Sequence, residues 1–125
     1  MKEFISLTES VVKEVMEINL PVMAKNLGMV HCCNEIEITN VSNEYVKDIL
    51  VELSGVSKED YYWEDNGDER WKKKIAYLLP KSSETYYLRY IDGSSIMAKI
   101  NIKWKDRFNV THTQEQEINI IGICN

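Results

Sequence analysis

Residues 96–105 alternate strictly between apolar and polar side chains, and this pattern constrains the fold more than any other feature of the chain. Ile96, Ala98, Ile100, Ile102 and Trp104 fall on one side of an extended backbone. Because successive side chains of a strand point to opposite faces, the run has the pattern of a half-buried strand. A helix would distribute the intervening lysines around its whole axis. The pattern therefore predicts a strand over 96–105 with one face in a core.

Weaker alternating runs recur through the chain, and turn-forming residues separate them. The runs lie at 30–39, 49–53, 75–79, 86–90 and 118–123, with turns at 40–44, 80–83, 92–94 and 106–109. This spacing predicts an all-β fold, a single antiparallel β-sandwich of about seven or eight strands. The predicted core residues are Ile36, Ile38, Ile49, Val51, Leu53, Tyr77, Leu79, Leu88, Ile100, Ile102, Trp104, Ile118 and Ile120.

The N-terminal residues allow two interpretations. Residues 8–20 can form a short helix capped near Thr8, or a strand with Met16, Ile18 and Leu20 on one face. We favour the strand and interpret residues 24–28 as a connector to the next strand. The helix stays open as the alternative.

Length and charge restrict the class of protein. A chain of 125 residues is most simply one domain, spanning residues 1–125. Its net charge of -5 gives no overall attraction for nucleic acid. The start of the chain does not resemble a secretory leader, and no apolar run approaches the roughly 20 residues of a membrane helix. We therefore expect a soluble, cytoplasmic protein that binds neither nucleic acid nor a membrane.

Cys32, Cys33 and Cys124 are the only cysteines. Adjacent cysteines in one strand face opposite ways, so a bond between Cys32 and Cys33 would be strained. We expect free thiols in a reducing compartment, with pairing of Cys124 to either neighbour as the alternative.

Two stretches of the chain resemble parts of bacterial immunoglobulin-like domains. Residues 37–42 followed by 46–53 resemble the B–C strand pair, and residues 79–88 resemble the turn into a later strand. The resemblance spans residues 30–123 and implies an immunoglobulin-like sandwich. The chain lacks the buried tryptophan between two framework cysteines of antibody domains, and the resemblance implies no catalytic residue.

The aromatic and acidic residues of 60–71 are the predicted binding site. The Asn66-Gly67 pair favours a two-residue turn, which would place Trp63 opposite Arg70 and Tyr62 opposite Trp71. Exposed aromatic residues often anchor protein interfaces, and carboxylates around them would attract a basic partner. The predicted binding residues are Tyr61, Tyr62, Trp63, Glu64, Asp65, Asp68, Glu69 and Trp71. The alternative is a solvated hairpin whose aromatic residues fold onto the sandwich.

Other chemistry is less well supported by the sequence. The histidines and cysteines lack the closely spaced pairs of a zinc site, and no cofactor motif is present. Lys99, Lys103 and Lys105 share the polar face of one strand, which is usually solvated; an anionic ligand or a second copy of the chain is the alternative.

The sequence therefore predicts a small non-catalytic protein-binding module of bacterial type, not an enzyme. An acidic inhibitor or immunity-type protein acting on a basic partner is one version. A ligand-binding module for carbohydrate or calcium that uses residues 60–71 is the alternative, and association into a homodimer stays open.

Overall fold

The computed structural model describes residues 21–65, 67, 69–91 and 93–122, and these form eight antiparallel strands. The strands are β1 Val22–Val30, β2 Cys33–Asn40, β3 Val46–Ser54, β4 Tyr61–Trp63, β5 Lys73–Leu78, β6 Ser83–Tyr90, β7 Ile96–Lys105 and β8 Thr111–Ile120. The all-β prediction is confirmed, and β7 has the predicted bounds. The predicted N-terminal strand or helix over 8–20 lies outside the described residues, and the single-domain assignment stays a prediction.

The strands form two four-stranded sheets that enclose one apolar core. The first sheet has the order β1-β2-β6-β4, and the second has the order β5-β3-β7-β8. The inward residues of both sheets meet in a core that includes every predicted core residue except Tyr77 and Leu79. Fully burying one large aliphatic side chain contributes roughly 1.5–3 kcal/mol, so these inward faces drive the packing of the sheets.

Strand β1 was not predicted from the sequence. The predicted connector at 24–28 lies within this strand, and the run predicted to start at Val30 is interrupted by a turn. His31 and Cys32 both have positive φ, 50° and 63°, and connect Val30 to its partner Cys33. Such two-residue turns normally carry Asn-Gly, so His-Cys gave no turn signal. Cys33 is buried on the outer face of the sheet, where it contacts Glu64 and Arg89, whereas Asn34, Ile36 and Ile38 face inward.

A bulge at Asp48 changes which side chains of the second sheet face the core. Asp48 has a φ of 49°, and the pairing of β3 with β7 shifts between Lys47 and Leu50. Val46 and Ile49 consequently both face inward although three positions separate them. Strand β5 pairs with β3 without a shift, so Leu78 and Ile75 face inward opposite them.

The same bulge explains why two residues predicted to lie in the core are exposed. Tyr77 pairs with Lys47, which faces outward, and it is 59% exposed. Leu79 follows the inward Leu78 and is 58% exposed. Ile75, Tyr77 and Leu79 therefore do not share one face of the strand, although their spacing in the sequence suggests that they do.

Side chains of β8 connect the two sheets along one side of the sandwich. Gln116 donates to the Ala24 carbonyl at 2.7 Å and accepts from the Ala24 amide at 3.1 Å. Gln114 donates to the Val22 carbonyl. These glutamines satisfy backbone groups on the free edge of β1, so the polar first half of β8 is structural. Residues 118–120 of the predicted last strand at 118–123 are the end of this longer strand, and residue 123 lies outside the described residues.

Candidate functional site

Tyr61 and Trp63 point into the core. They are 2% and 1% exposed, so the prediction that they form an exposed contact surface is wrong. The Tyr61 hydroxyl donates to the Trp71 carbonyl at 3.0 Å and accepts from the Leu53 amide at 3.1 Å. The Trp63 indole N–H donates to the same Trp71 carbonyl at 3.2 Å. Both polar groups are satisfied internally, as buried polar groups of aromatic residues usually are.

The other aromatic residues of this segment are partly covered. The Arg70 guanidinium lies 4.0 Å from the centre of the Tyr62 ring, and the Lys58 ammonium lies 4.9 Å from that of Trp71. The Trp63 backbone amide donates to the Arg70 carbonyl at 2.8 Å, as the hairpin prediction requires. The Arg70 guanidinium, however, lies on the ring of Tyr62 and not on that of Trp63.

The carboxylates of the segment have nearby cations. Glu64 lies 3.4 Å from Arg89, and Glu69 lies 3.9 Å from Lys72 and 3.8 Å from Lys74. Asp65 is exposed, and Asp68 lies outside the described residues. Local ion pairs therefore reduce the field that these acids could present to a basic partner. Partner binding by residues 60–71 stays a prediction.

Cys33 lies at a small polar cavity next to this segment. Its Sγ is 3.4 Å from Glu64 Oε1 and 3.5 Å from the Arg89 guanidinium, and these residues line a cavity of about 300 Å³. Burial raises the pKa of the Cys33 thiol, so it stays protonated at neutral pH. Since the thiolate is the nucleophile, this arrangement does not activate Cys33.

Cys33 has a free thiol, whereas Cys32 is disulfide-bonded. The expectation of free thiols is therefore wrong for Cys32, and Cys124 lies outside the described residues. Stable disulfides are typical of oxidising compartments. The cysteines therefore no longer support a cytoplasmic location, which stays a prediction.

A different part of the molecule exposes large apolar side chains. The turns at 41–45, 79–82 and 106–110 lie at one end of the sandwich, which we call the loop end. Five of the ten exposed large apolar residues in the described part of the chain lie there, with exposures from 41% to 69%, and we call them the loop-end patch: Tyr45, Tyr77, Leu79, Phe108 and Val110. The sequence did not single out this surface, because its residues come from three turns and the end of β5, and Tyr77 and Leu79 matched the alternating pattern of core positions.

Asn40 fixes two of the three turns. This fully buried residue ends β2. Its side-chain Nδ2 lies 2.8 Å from the Glu44 carbonyl, 3.1 Å from that of Leu78 and 3.2 Å from that of Leu79. Its side-chain oxygen accepts from the Ser42 amide at 3.1 Å. One side chain thereby connects the 41–45 turn to the 79–82 turn.

Asp106 fixes the third turn. One carboxylate oxygen accepts from the amides of Phe108 at 2.8 Å and Val110 at 3.1 Å, and the other lies 2.8 Å from His112 Nε2. The hydrogen bond with His112 is the main reason that the pKa of Asp106 is lowered. The His112 ring stacks on Trp104 with a centroid distance of 5.3 Å, so the turn is attached to the core.

Ser42 and the His112–Asp106 pair line one cavity of about 270 Å³, but they do not form a catalytic triad. The Ser42 hydroxyl lies 2.7 Å from Asn40 Oδ1 and 2.8 Å from the Glu44 carbonyl. A serine nucleophile must instead contact the histidine that takes its proton. Across the described ranges, we also find no cluster of three or more histidine, cysteine or acidic side chains placed to hold a metal ion.

Comparison with known proteins gives little further information. No protein-family model matches the chain, and no curated protein matches it. Among solved structures, a match is found to the secreted serine protease VesC from Vibrio cholerae, at a TM-score of 0.45 and 12% identity. The match covers 87% of this chain and 24% of VesC, so the chain spans about a quarter of that protein.

This match corrects one prediction from the sequence. The prediction that the chain is not an enzyme is contradicted by the finding that a structural neighbour is a serine protease, and it is withdrawn. A likeness at this score assigns no activity to the chain, and the immunoglobulin-like type of the sandwich stays a prediction. No helix within the described part of the chain has the length and hydrophobicity to cross a membrane.

Proposed function

We propose that this chain is a protein-binding module that contacts its partner through the loop-end patch. The carrying observation is that Phe108, Tyr77 and Leu79, each more than half exposed, lie at the same end of the sandwich. Single exposed apolar residues are normal on a protein surface. A concentration of them is typical of an interaction site.

The fixed turns support this proposal. Asn40 and Asp106 hold the backbone of the loop end through hydrogen bonds to carbonyl and amide groups. A surface that is already ordered loses less conformational entropy when it binds. Tyrosine and phenylalanine also supply a large contact area with few rotatable bonds.

The strand order supports an immunoglobulin-like type for the sandwich. In constant-type immunoglobulin domains, strands A, B, E and D share one sheet and strands C, F and G share the other. Here β1, β2 and β6 correspond to A, B and E, while β3, β7 and β8 correspond to C, F and G. The 41–45 and 106–110 turns then correspond to the B–C and F–G loops, with which variable domains bind antigen.

That the chain is an acidic inhibitor or immunity-type protein acting on a basic partner is a separate hypothesis. It was inferred from the acids of residues 60–71, and the ion pairs of Glu64 and Glu69 weaken that inference. A partner with an apolar contact surface fits the loop-end patch better than a purely basic one.

The test is capture of the partner from a lysate of the source cells by the immobilised chain and by four variants. Phe108→Ala and Tyr77→Ala truncate the patch, whereas Met97→Ala truncates a residue that is 65% exposed at the opposite end of β7. We expect truncation of an aromatic anchor to weaken binding about thirtyfold, a cost of about 2 kcal/mol, with Met97→Ala unchanged. Equal capture by all variants, or loss only with Tyr62→Ala in the 60–71 segment, would reject the proposed surface.

A further inference from the structure

A groove crosses the outer face of the second sheet, away from the loop-end patch. Its volume is about 510 Å³, within the range of roughly 300–1,000 Å³ that is usual for small-molecule sites. Leu50 is the outward apolar side chain that lines it, together with charged residues of β3, β5 and β7; the lining residues Ile49, Ile75 and Trp104 have their side chains in the core. We call it the lysine groove and define it by Leu50, Lys74, Lys103 and Lys105.

The strand register explains why an apolar side chain lies between lysines. Leu50 is the outward residue that follows the Asp48 bulge, and it is half-buried. It pairs directly with Lys74 on β5 and with Lys103 on β7. Because paired residues of adjacent strands point to the same face, the two lysines flank the leucine.

The charges of the groove are mostly positive and incompletely compensated. Among the described residues, neither Lys103 nor Lys105 forms an ion pair, while Lys74 lies 3.8 Å from Glu69 at the rim. Asp48 is the carboxylate that lines the groove within the described part of the chain. On the same face of β7 but outside the groove, Lys99 is 3.6 Å from Glu115.

We propose that the lysine groove binds a small anionic amphiphile, a molecule with an apolar body and one terminal carboxylate or sulfonate. The apolar body would lie on Leu50 and on the alkyl chains of the flanking lysines, where burying it from water is favourable. The anionic group would contact the ammonium groups of Lys103 and Lys105. This site is independent of the protein-binding surface, since it uses none of the residues of the loop-end patch.

A fluorescence titration with 8-anilino-1-naphthalenesulfonate tests the proposal, because this probe combines an apolar ring system with one sulfonate. We expect saturable, blue-shifted emission, and displacement of the probe by dodecanoate but not by uncharged dodecanol at the same concentration. Added salt should weaken binding, since exposed charges are screened. Near-ultraviolet circular dichroism of each variant verifies that the fold is intact, because the probe also binds molten globules.

Matched variants locate the site. Leu50→Asn and the double change Lys103→Gln with Lys105→Gln should each weaken binding about tenfold. Lys99→Gln removes an equivalent charge outside the groove, and Phe108→Ala removes an apolar side chain of the loop-end patch; both should bind as the original chain does. Absence of saturable binding, or loss of binding in either control variant with the groove variants unaffected, would overturn the proposal.

Discussion

The 60–71 segment and the loop-end patch differ in what they do with their aromatic residues. The segment has the denser run of tyrosine and tryptophan, yet Tyr61 and Trp63 lie in the core. The loop-end patch takes its residues from three turns and the end of β5, and Phe108 is 69% exposed. Aromatic content along the chain is therefore a poor guide to exposure, which depends on the direction in which the backbone points each side chain.

In both regions, one backbone feature decides that direction. In β4, simple alternation places Tyr61 and Trp63 inward and Tyr62 outward. In β3, the bulge at Asp48 shifts the alternation, and β5 follows because it pairs with β3 in register. Tyr77 is thereby exposed although its neighbours in sequence have the pattern of a buried strand.

Truncation of Trp63 and of Phe108 should separate the two regions most strongly. We expect Trp63→Ala to lower the free energy of unfolding by about 4 kcal/mol, because it leaves a large cavity in the core. Phe108→Ala should change it by less than about 0.5 kcal/mol, since the ring is mostly exposed. Urea denaturation measures both. Similar effects of the two changes would contradict the assignment of one residue to the core and the other to the surface.

Two buried asparagines of β2 offer a second comparison. Asn40 connects turns at the loop end, while Asn34 bonds the Leu88 and Ile121 carbonyls at the other end of the strand. Each change to alanine should cost about 3 kcal/mol, since buried backbone groups lose their partners. Only Asn40→Ala should also weaken partner binding. Equal binding by the two variants, measured where both are folded, would show that the order of these turns does not matter for recognition.

The Asp48 bulge can be tested with substitutions that differ in how well they accept a positive φ at this position. Asp48→Val places a β-branched residue at positive φ and should destabilise the fold by about 1–2 kcal/mol. Asp48→Gly accepts that conformation and should change stability by only a few tenths of a kcal/mol. Thermal unfolding distinguishes them, and a valine variant as stable as the glycine variant would argue against the bulge.

The sequence predicted regular alternation well and its interruptions poorly. The bounds of β7 were predicted correctly, and the turns predicted at 40–44, 80–83 and 106–109 are present to within one residue, because these stretches carry alternating apolar residues or turn-forming residues. The turn at His31 and Cys32 was missed because neither residue type favours positive φ. The start of β8 was missed because Gln114 and Gln116 are polar for a structural reason that requires knowledge of β1. The exposure of Tyr77 and Leu79 could not be predicted, since the Asp48 bulge leaves no distinct mark in the sequence.

Acid should loosen the loop end before it affects the 60–71 segment. The lowered pKa of Asp106, caused mainly by its hydrogen bond with His112, means that the folded state favours the charged carboxylate. The resulting stabilisation is fully present above the ordinary value of 3.8 and is lost as the pH falls through the lowered pKa. Two-dimensional NMR should show the Phe108 and Val110 amides shifting in that window, with no such shift in Asp106→Asn. Equal acid sensitivity in the two proteins would contradict this role of the carboxylate.

Hydroxyl-radical footprinting with mass spectrometry tests the central contrast most directly, because it measures the solvent access of individual aromatic side chains. Each rate in the folded chain is divided by its rate in urea, which removes differences in intrinsic reactivity. We expect Tyr77 and Phe108 to react nearly as fast when folded as when unfolded, and Tyr61 and Trp63 to be strongly protected. Protection of Tyr77 and Phe108 together with rapid modification of Tyr61 and Trp63 would contradict the assignment of the exposed surface.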